Sequence, residues 1–367
     1  MSTHYFIANL LYYICVMKHV PIADILYRWY SSNKRDLPWR KTKDPYKIWV
    51  SEIVLQQTRI DQGMPYYLKF LDRFPTVIAL ADASIEDVLL IWQGLGYYSR
   101  ARNMHFAANQ VVRDFNAVFP SSYVDLMKLK GIGKYTAAAI SSITVSEKRA
   151  VVDGNVIRLI SRLWGIEESV DQAKTLARIE AEAALLIQKH DSGTINQAMM
   201  EFGATVCVPR SPNCSQCVLS SYCDACKSGK QSEIPYKKGK TAVSKRFFNY
   251  LYITDQQRFL IYQRPSNDIW QGLFELPLIE NEKLTPKEIN AFLGFKPSSV
   301  FKGKQLKHQL SHQLIHATVW MVDCTTKQLD LLAKSKSYLI TDHHGIKNYP
   351  VSKLTDNFFL TLTASFF

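Results

Sequence analysis

The chain has 367 residues and a mass of 42.1 kDa, more than one compact core usually accommodates, so two domains are expected. With 47% hydrophobic and 21% charged residues it is neither disordered nor collagen-like. The 45 Lys and Arg outnumber the 32 Asp and Glu, giving a net charge of +13, which suits a polyanionic partner or an anionic membrane surface and says nothing about fold.

The early apolar run Tyr5–Met17 is interrupted by Asn9 and falls short of the roughly 20 residues a membrane-spanning helix needs. No Lys or Arg precedes it and no small-residue cleavage site follows, so neither a signal peptide nor a membrane partner is expected. The first sixteen residues read as uninformative and the protein as cytoplasmic. From Pro21 to about Val206 apolar residues recur every three or four positions, which predicts helices throughout. Ser84-Ile85-Glu86-Asp87 and Ser122-Tyr123-Val124-Asp125 read as capping boxes.

Three segments here carry candidate chemistry. On a predicted helix Ile48–Thr58, Glu52 and Gln56 share a face between apolar residues; alone, Glu52 reads as a solvated side chain. Leu129-Lys130-Gly131-Ile132-Gly133-Lys134-Tyr135-Thr136-Ala137 places two glycines before a small-residue helix. The backbone can turn tightly there and offer free N–H groups to a phosphate. Val152-Asp153-Gly154-Asn155-Val156 opens a helix to Trp164. Asp153 reads first as its N-cap, and the helix N-terminus also favours its ionised form.

Five of seven cysteines crowd between Cys207 and Cys226, spaced Cys207-x6-Cys214-x2-Cys217-x5-Cys223, with Cys226, Cys15 and Cys324 left over. Four thiolates on so short a loop point to a metal, and spacing alone leaves zinc and an iron–sulfur cluster both open. Residues 227–246 carry seven basic residues against Glu233 and read as a linker lying near the polyanion. Beyond it the period changes. Phe247–Thr254 and Phe259–Gln263 read as strands joined at Asp255-Gln256-Gln257, Leu314–Val322 as another, and Pro286–Leu293 as a helix, so an α+β domain is expected. His308, His312 and His316 mimic a metal-binding helix face. Their neighbours favour a strand, where four residues span roughly 13 Å, so no shared ion is assigned.

Together these segments resemble the helix-hairpin-helix DNA glycosylases, most closely the MutY-type adenine DNA glycosylases. The matching text also includes Asp36-Leu37-Pro38-Trp39-Arg40, Ser51–Arg59, Gly94–Asn103 and Asn196–Gly203. The resemblance implies a mainly α helix-hairpin-helix domain over 17–226 whose loop 207–223 holds a [4Fe–4S] cluster on Cys207, Cys214, Cys217 and Cys223. It implies a monomer acting on double-stranded DNA with adenine mispaired to 8-oxoguanine or guanine, nucleoid-associated when bound, and flipping the adenine out. Glu52 would then protonate the leaving base, Asp153 would stabilise the sugar cation, Asn155 would orient Asp153, and the Tyr135 hydroxyl would bond a catalytic carboxylate. Arg35, Trp39 and Gln197 match the adenine pocket. Gln57, Thr58, Leu95, Tyr97, Gly131, Gly133 and Lys134 match DNA contacts, Tyr97 as a wedge beside 8-oxoguanine.

Strand-cleaving relatives carry a nucleophilic Lys where this chain has Tyr135. A phenol forms no Schiff base, so base removal without efficient strand cleavage is expected, against an endonuclease III-like glycosylase/lyase as the alternative. Residues 247–367 resemble the family's Nudix-like lesion-recognition domain through Gln263-Arg264-Pro265 and Ile269–Pro277. The Nudix run of clustered carboxylates is missing, so no pyrophosphohydrolase activity is expected. The family's Phe-Ser-His lesion sensor appears as Leu310-Ser311-His312, which keeps Ser311 and His312 for DNA contact and loses the ring.

Overall fold

In a computed structural model residues 19–239 and 242–363 are described; Tyr5–Met17, Cys15 and Lys240 lie outside them. Twelve helices follow one another among the described residues up to Lys227: α1 (19–33), α2 (Pro45–Val54), α3 (Ile60–Arg73), α4 (Val77–Ala81), α5 (Ile85–Trp92), α6 (Ser99–Asp114), α7 (Tyr123–Leu126), α8 (Lys134–Val145), α9 (Gly154–Leu163), α10 (Ala173–Leu186), α11 (Ser192–Thr205) and α12 (Asp224–Lys227). Side-chain caps set several starts, since a helix's first N–H groups have no partner within it. Asp44, Ser84, Ser122, Asp153 and Asp191 each accept a backbone N–H from the first turn. Ser84 and Ser122 therefore cap as expected. Neither forms the reciprocal box, because Asp at the third position is one methylene shorter than Glu. Complete boxes stand instead at Thr285/Glu288 and Thr325/Gln328.

The helix carrying Glu52 ends at Val54, not Thr58. Residues 55–57 tighten into a turn, with Gln56 N–H on the Ile53 carbonyl at 3.3 Å and Gln57 at φ +55°, yet Gln56 still lines one cavity with Glu52. Gly193 lets α11 meet α8, because a Cβ there would lie 2.6 Å from the Ser142 carbonyl oxygen. The core of this region joins α1, α9, α10 and α11 through Leu26, Leu159, Ile160, Ile179, Met199 and Phe202.

The chain packs as two compact units. One holds 19–67, 74–81 and 106–239; the other holds 68–73, 82–105 and the residues from 240 onward. Within the second, Val351 N–H donates to Gln93 Oε1 at 3.0 Å and Arg102 to the Gln271 carbonyl at 2.8 Å. The described part of the expected linker up to Lys238 is tied down by hydrogen bonds. Tyr236 accepts from Val170 N–H at 3.0 Å, Lys238 N–H donates to Asp171, and Lys230 pairs with Glu167 at 2.6 Å. Arg246 turns inward to Asp268 and Glu280 and is not offered to a polyanion.

The sheet of the second unit uses β1 (Ser244–Thr254), β2 (Phe259–Gln263), β3 (Phe274–Glu275), β4 (Leu278–Glu280), β5 (Ser299–Gln309), β6 (Gln313–Asp323) and β7 (Leu339–Thr341). Its order is β3-β2-β1-β6-β5, with β4 on β1 and β7 on β2. β1 and β6 run parallel from Ser244 opposite Gln313 to Thr254 opposite Asp323. α13 (Pro286–Leu293) and α14 (Thr326–Lys336) cover the face bearing Leu251, Ile253 and Trp320, while α15 (Lys353–Thr363) packs on the face bearing Phe248, Tyr250 and Tyr252. The three histidines lie on a hairpin and not on one strand: His308 on β5, His312 in the turn, His316 on β6.

The motif Gln263–Pro277 holds a buried ion network. Glu275, 2% exposed, accepts from Tyr262 at 2.7 Å, Tyr250 at 3.0 Å and Arg264 at 2.5 Å. Arg264 also reaches Asp268 and the Ile269 carbonyl. Glu275→Ala is expected to lose about 3–5 kcal/mol in urea unfolding, because a guanidinium and two hydroxyls are left buried, and Arg264→Met/Glu275→Leu much less. Equal losses would contradict this account.

Candidate active site

α2 is apolar on most of its surface, burying Ile48, Trp49, Val50, Ile53 and Val54. Glu52 is part-exposed and opens into a cavity of about 820 Å³ shared with Asp153, Asn155 and Tyr135. Burial pushes the Glu52 carboxyl up to about 7; the Tyr135 hydroxyl, in hydrogen-bond contact, pulls it down, and the nearby Asp153 charge pushes it up. Tyr135 stands in the first turn of α8, 3.5 Å from Met200 Sδ. Burial and the two carboxylates raise its phenol well above the usual range.

Asp153 caps α9, accepting Val156 N–H at 2.7 Å on one oxygen and Asn155 Nδ2 at 2.8 Å on the other. Burial raises this carboxyl above its usual range, while the Val156 and Asn155 donors and the Arg158 charge draw it back. Asn155 is itself fixed, its Oδ1 accepting from Arg158 at 2.9 Å. Arg158 goes on to the carbonyls of Gly203 at 2.5 Å and Cys207 at 2.6 Å. A Cβ at Gly203 would lie 2.7 Å from the Asn155 carbonyl oxygen, so only glycine lets α11 approach this close.

Arg35, Trp39, Gln57 and Thr58 line the same cavity. Glu201, 1% exposed, takes two hydrogen bonds of 2.7 Å from the Arg35 guanidinium and one of 2.6 Å from Arg40. Against the upward push of burial those donors hold it down to about 2. Gln197 departs from the expected grouping: it accepts from Tyr30 at 2.5 Å and lines a separate cavity with Lys34 and Lys43. Gly131, at φ +80°, makes the turn of the hairpin, and Gly133 precedes α8 without a side-chain cap. Gly133 and Lys134 are both exposed.

Cys207, Cys214, Cys217 and Cys223 line one cavity with Leu159, Leu163, Phe202 and Leu219. The donor set is wholly sulfur, its walls are largely apolar, and N–H groups point at sulfur: Leu219 to Cys217, Cys226 to Cys223, Arg162 to Cys207 at 3.4 Å. These features fit a cluster held by four thiolates.

Residues 50–184 match the HhH-GPD superfamily of base excision DNA repair proteins, 207–223 the iron–sulfur binding domain of endonuclease III, and 249–360 the NUDIX domain. The chain is 33% identical over 300 residues to the adenine DNA glycosylase of Buchnera aphidicola subsp. Schizaphis graminum, covering 80% of this chain and 85% of that protein. Against the Homo sapiens adenine DNA glycosylase it is 39% identical over 218 residues, covering 57% of this chain and 40% of that one. The structure of a thermostable thymine-DNA glycosylase aligns with TM-score 0.53 at 26% identity, covering 58% of this chain and 98% of that one.

The chain belongs to the adenine DNA glycosylases. It is therefore a base excision repair enzyme that acts on DNA, and its 207–223 loop holds a [4Fe–4S] cluster. Among the described residues no helix is long and apolar enough to cross a membrane.

In this glycosylase's second unit the hydroxyls of Tyr97 and Ser311 meet at 2.9 Å. They border a cavity of about 560 Å³ with His308, His312 and Trp270. Ser311 and His312 are exposed in the β5–β6 turn, and Leu310 is half-buried against the core. Leu95 is only 6% exposed, so its side chain is packed inward.

Sequence reasoning gave no role to Arg40, Arg158, Asn196 or Glu201. Asn196 is fully buried and ties down the approach to Asp153, accepting Val151 N–H at 3.0 Å and donating to the Arg149 carbonyl at 2.7 Å. The available signal was polar residues within an otherwise apolar helical run.

A carboxyl whose folded pKa exceeds its unfolded value takes up a proton on folding, so stability falls as pH rises between the two, here from about 4.5 to about 7. Glu52→Gln is expected to match wild type near pH 4 and to exceed it by roughly 2–4 kcal/mol above pH 7, at about 1.4 kcal/mol per pKa unit. Urea midpoints across pH check this; a difference that does not grow with pH would contradict it.

Proposed function

We propose that this adenine glycosylase removes adenine mispaired with 8-oxoguanine or guanine, with Glu52 as general acid and Asp153 as the stabiliser of the sugar cation. The observation that carries the assignment is the pair of carboxyls in one cavity, with Glu52 pushed up to about 7 and Asp153 held by the N-terminus of α9. Glu52 holds a proton near neutrality and passes it to the leaving purine; Asp153, ionised, faces the positive sugar. Asn155 and Tyr135 act as positioning residues, the first through Asp153 and the second through Glu52. Arg35 and Trp39 wall the base pocket.

The uncapped start of α8 after Gly133 suits a DNA phosphate, and Gln57 and Thr58 stand at the cavity where an extruded base would enter. Tyr97 with Ser311 supports contact with the opposite base. Tyr135 lines the cavity where a lyase would need an amine, which supports base removal without strand cleavage.

Single-turnover assays test the reading, with adenine opposite 8-oxoguanine, guanine and thymine. The wild type is expected to release adenine from the first two and not the third, with a rate that falls as pH rises above about 7. Glu52→Gln is expected to slow release by about 10²–10⁴-fold while duplex binding survives. Adenine release from the thymine pair at equal rate, or parallel loss of binding and excision in Glu52→Gln, would contradict it.

A further inference from the structure

Five thiols line the cluster cavity, one more than a cluster of four irons takes. The fifth is Cys226, which lies beyond the 207–223 segment that matches the iron–sulfur binding domain. It stands three residues after Cys223 on α12, where residues one helical turn apart are neighbours. Its side chain is in hydrogen-bond contact with that of Cys214, and its backbone N–H donates to the Cys223 sulfur. The Cys226 sulfur is thus beside one ligand, and its backbone already supports another.

Cys214 and Cys226 differ in what holds them. Cys214 opens a three-residue turn, Cys214–Gln216, between exposed Asn213 and Ser215. Cys226 follows the fully buried Ala225, and Gly229 N–H bonds its carbonyl at 3.3 Å. The ligand on the exposed turn is the one more easily detached, and the thiol beside it is on the better-anchored backbone.

We propose that Cys226 is a reserve ligand of the [4Fe–4S] cluster, taking over the iron of Cys214 when the Cys214 thiolate is lost. The exchange needs no oxidant. The Cys226 S–H gives up its proton to the departing thiolate or to water, an iron–sulfur bond forms at Cys226 as the one at Cys214 breaks, and the cluster keeps its charge. Loop damage at Cys214 would then leave the cluster bound.

Iron per chain and the cluster's visible absorption test this on the full-length protein. The wild type is expected to carry four irons, a result that tests the cluster itself separately. Cys226→Ala alone is expected to keep them, Cys214→Ala to keep more than half, Cys214→Ala/Cys226→Ala to fall to background, and Cys217→Ala to fall with it. Cys214→Ala as iron-poor as the double variant, or a double variant as iron-rich as Cys214→Ala, would overturn the proposal. A second readout avoids variants at position 214. Iron release to bathophenanthroline is expected to be several-fold faster from Cys226→Ala than from wild type, and equal rates would overturn the proposal.

Discussion

Two part-buried carboxyl groups in one cavity are the constraint on which this enzyme depends. Burial alone raises both, since water that would solvate either charge is displaced by protein. What separates them is what each is given to bond. Asp153 has a helix N-terminus, an amide and a nearby guanidinium, all favouring its anion. Glu52 has a single phenol hydroxyl, and the charge of its neighbour presses further towards protonation. Removing the donors around Asp153 would erase the difference between an acid and a counter-charge.

Those donors are held by long-range packing. Arg158 links Asn155 to the carbonyl of Cys207, and Arg162 grips the same loop at the carbonyls of Val208 at 2.8 Å and Pro209 at 3.1 Å. The helix that Asp153 caps is therefore the helix on which the cluster loop hangs. Gly203 lets α11 close over Asn155, and Glu201, two residues earlier, anchors Arg35 and Arg40 at the cavity wall. One helix thus serves both carboxyl support and pocket shape.

The motif text made much of this legible. The Gly-x-Gly turn, the Asp153 cap, the spacing of four cysteines and the three predicted strands all rest on local chemistry, and each stands where the spacing placed it. Pairings across long stretches of chain were not legible. Arg35 with Glu201 spans 166 residues, and neither residue type announces the other. The helix end after Val54 was missed because Gln57 takes a positive φ that nothing in its identity demands. β5 was missed because none of its residues is buried and Lys302, Lys304 and Lys307 interrupt it, as charges often do on an edge strand, so no apolar alternation marked it. That omission also hid the hairpin that divides His308 from His316.

The protonation state of Glu52 in the free enzyme tests the account most directly. A carboxyl ¹³C NMR titration of glutamate-labelled protein, with Glu52→Gln to assign the signal, is predicted to show that carboxyl titrating near pH 7. A Glu52 signal titrating near 4.5, as an ordinary solvated glutamate does, would contradict it.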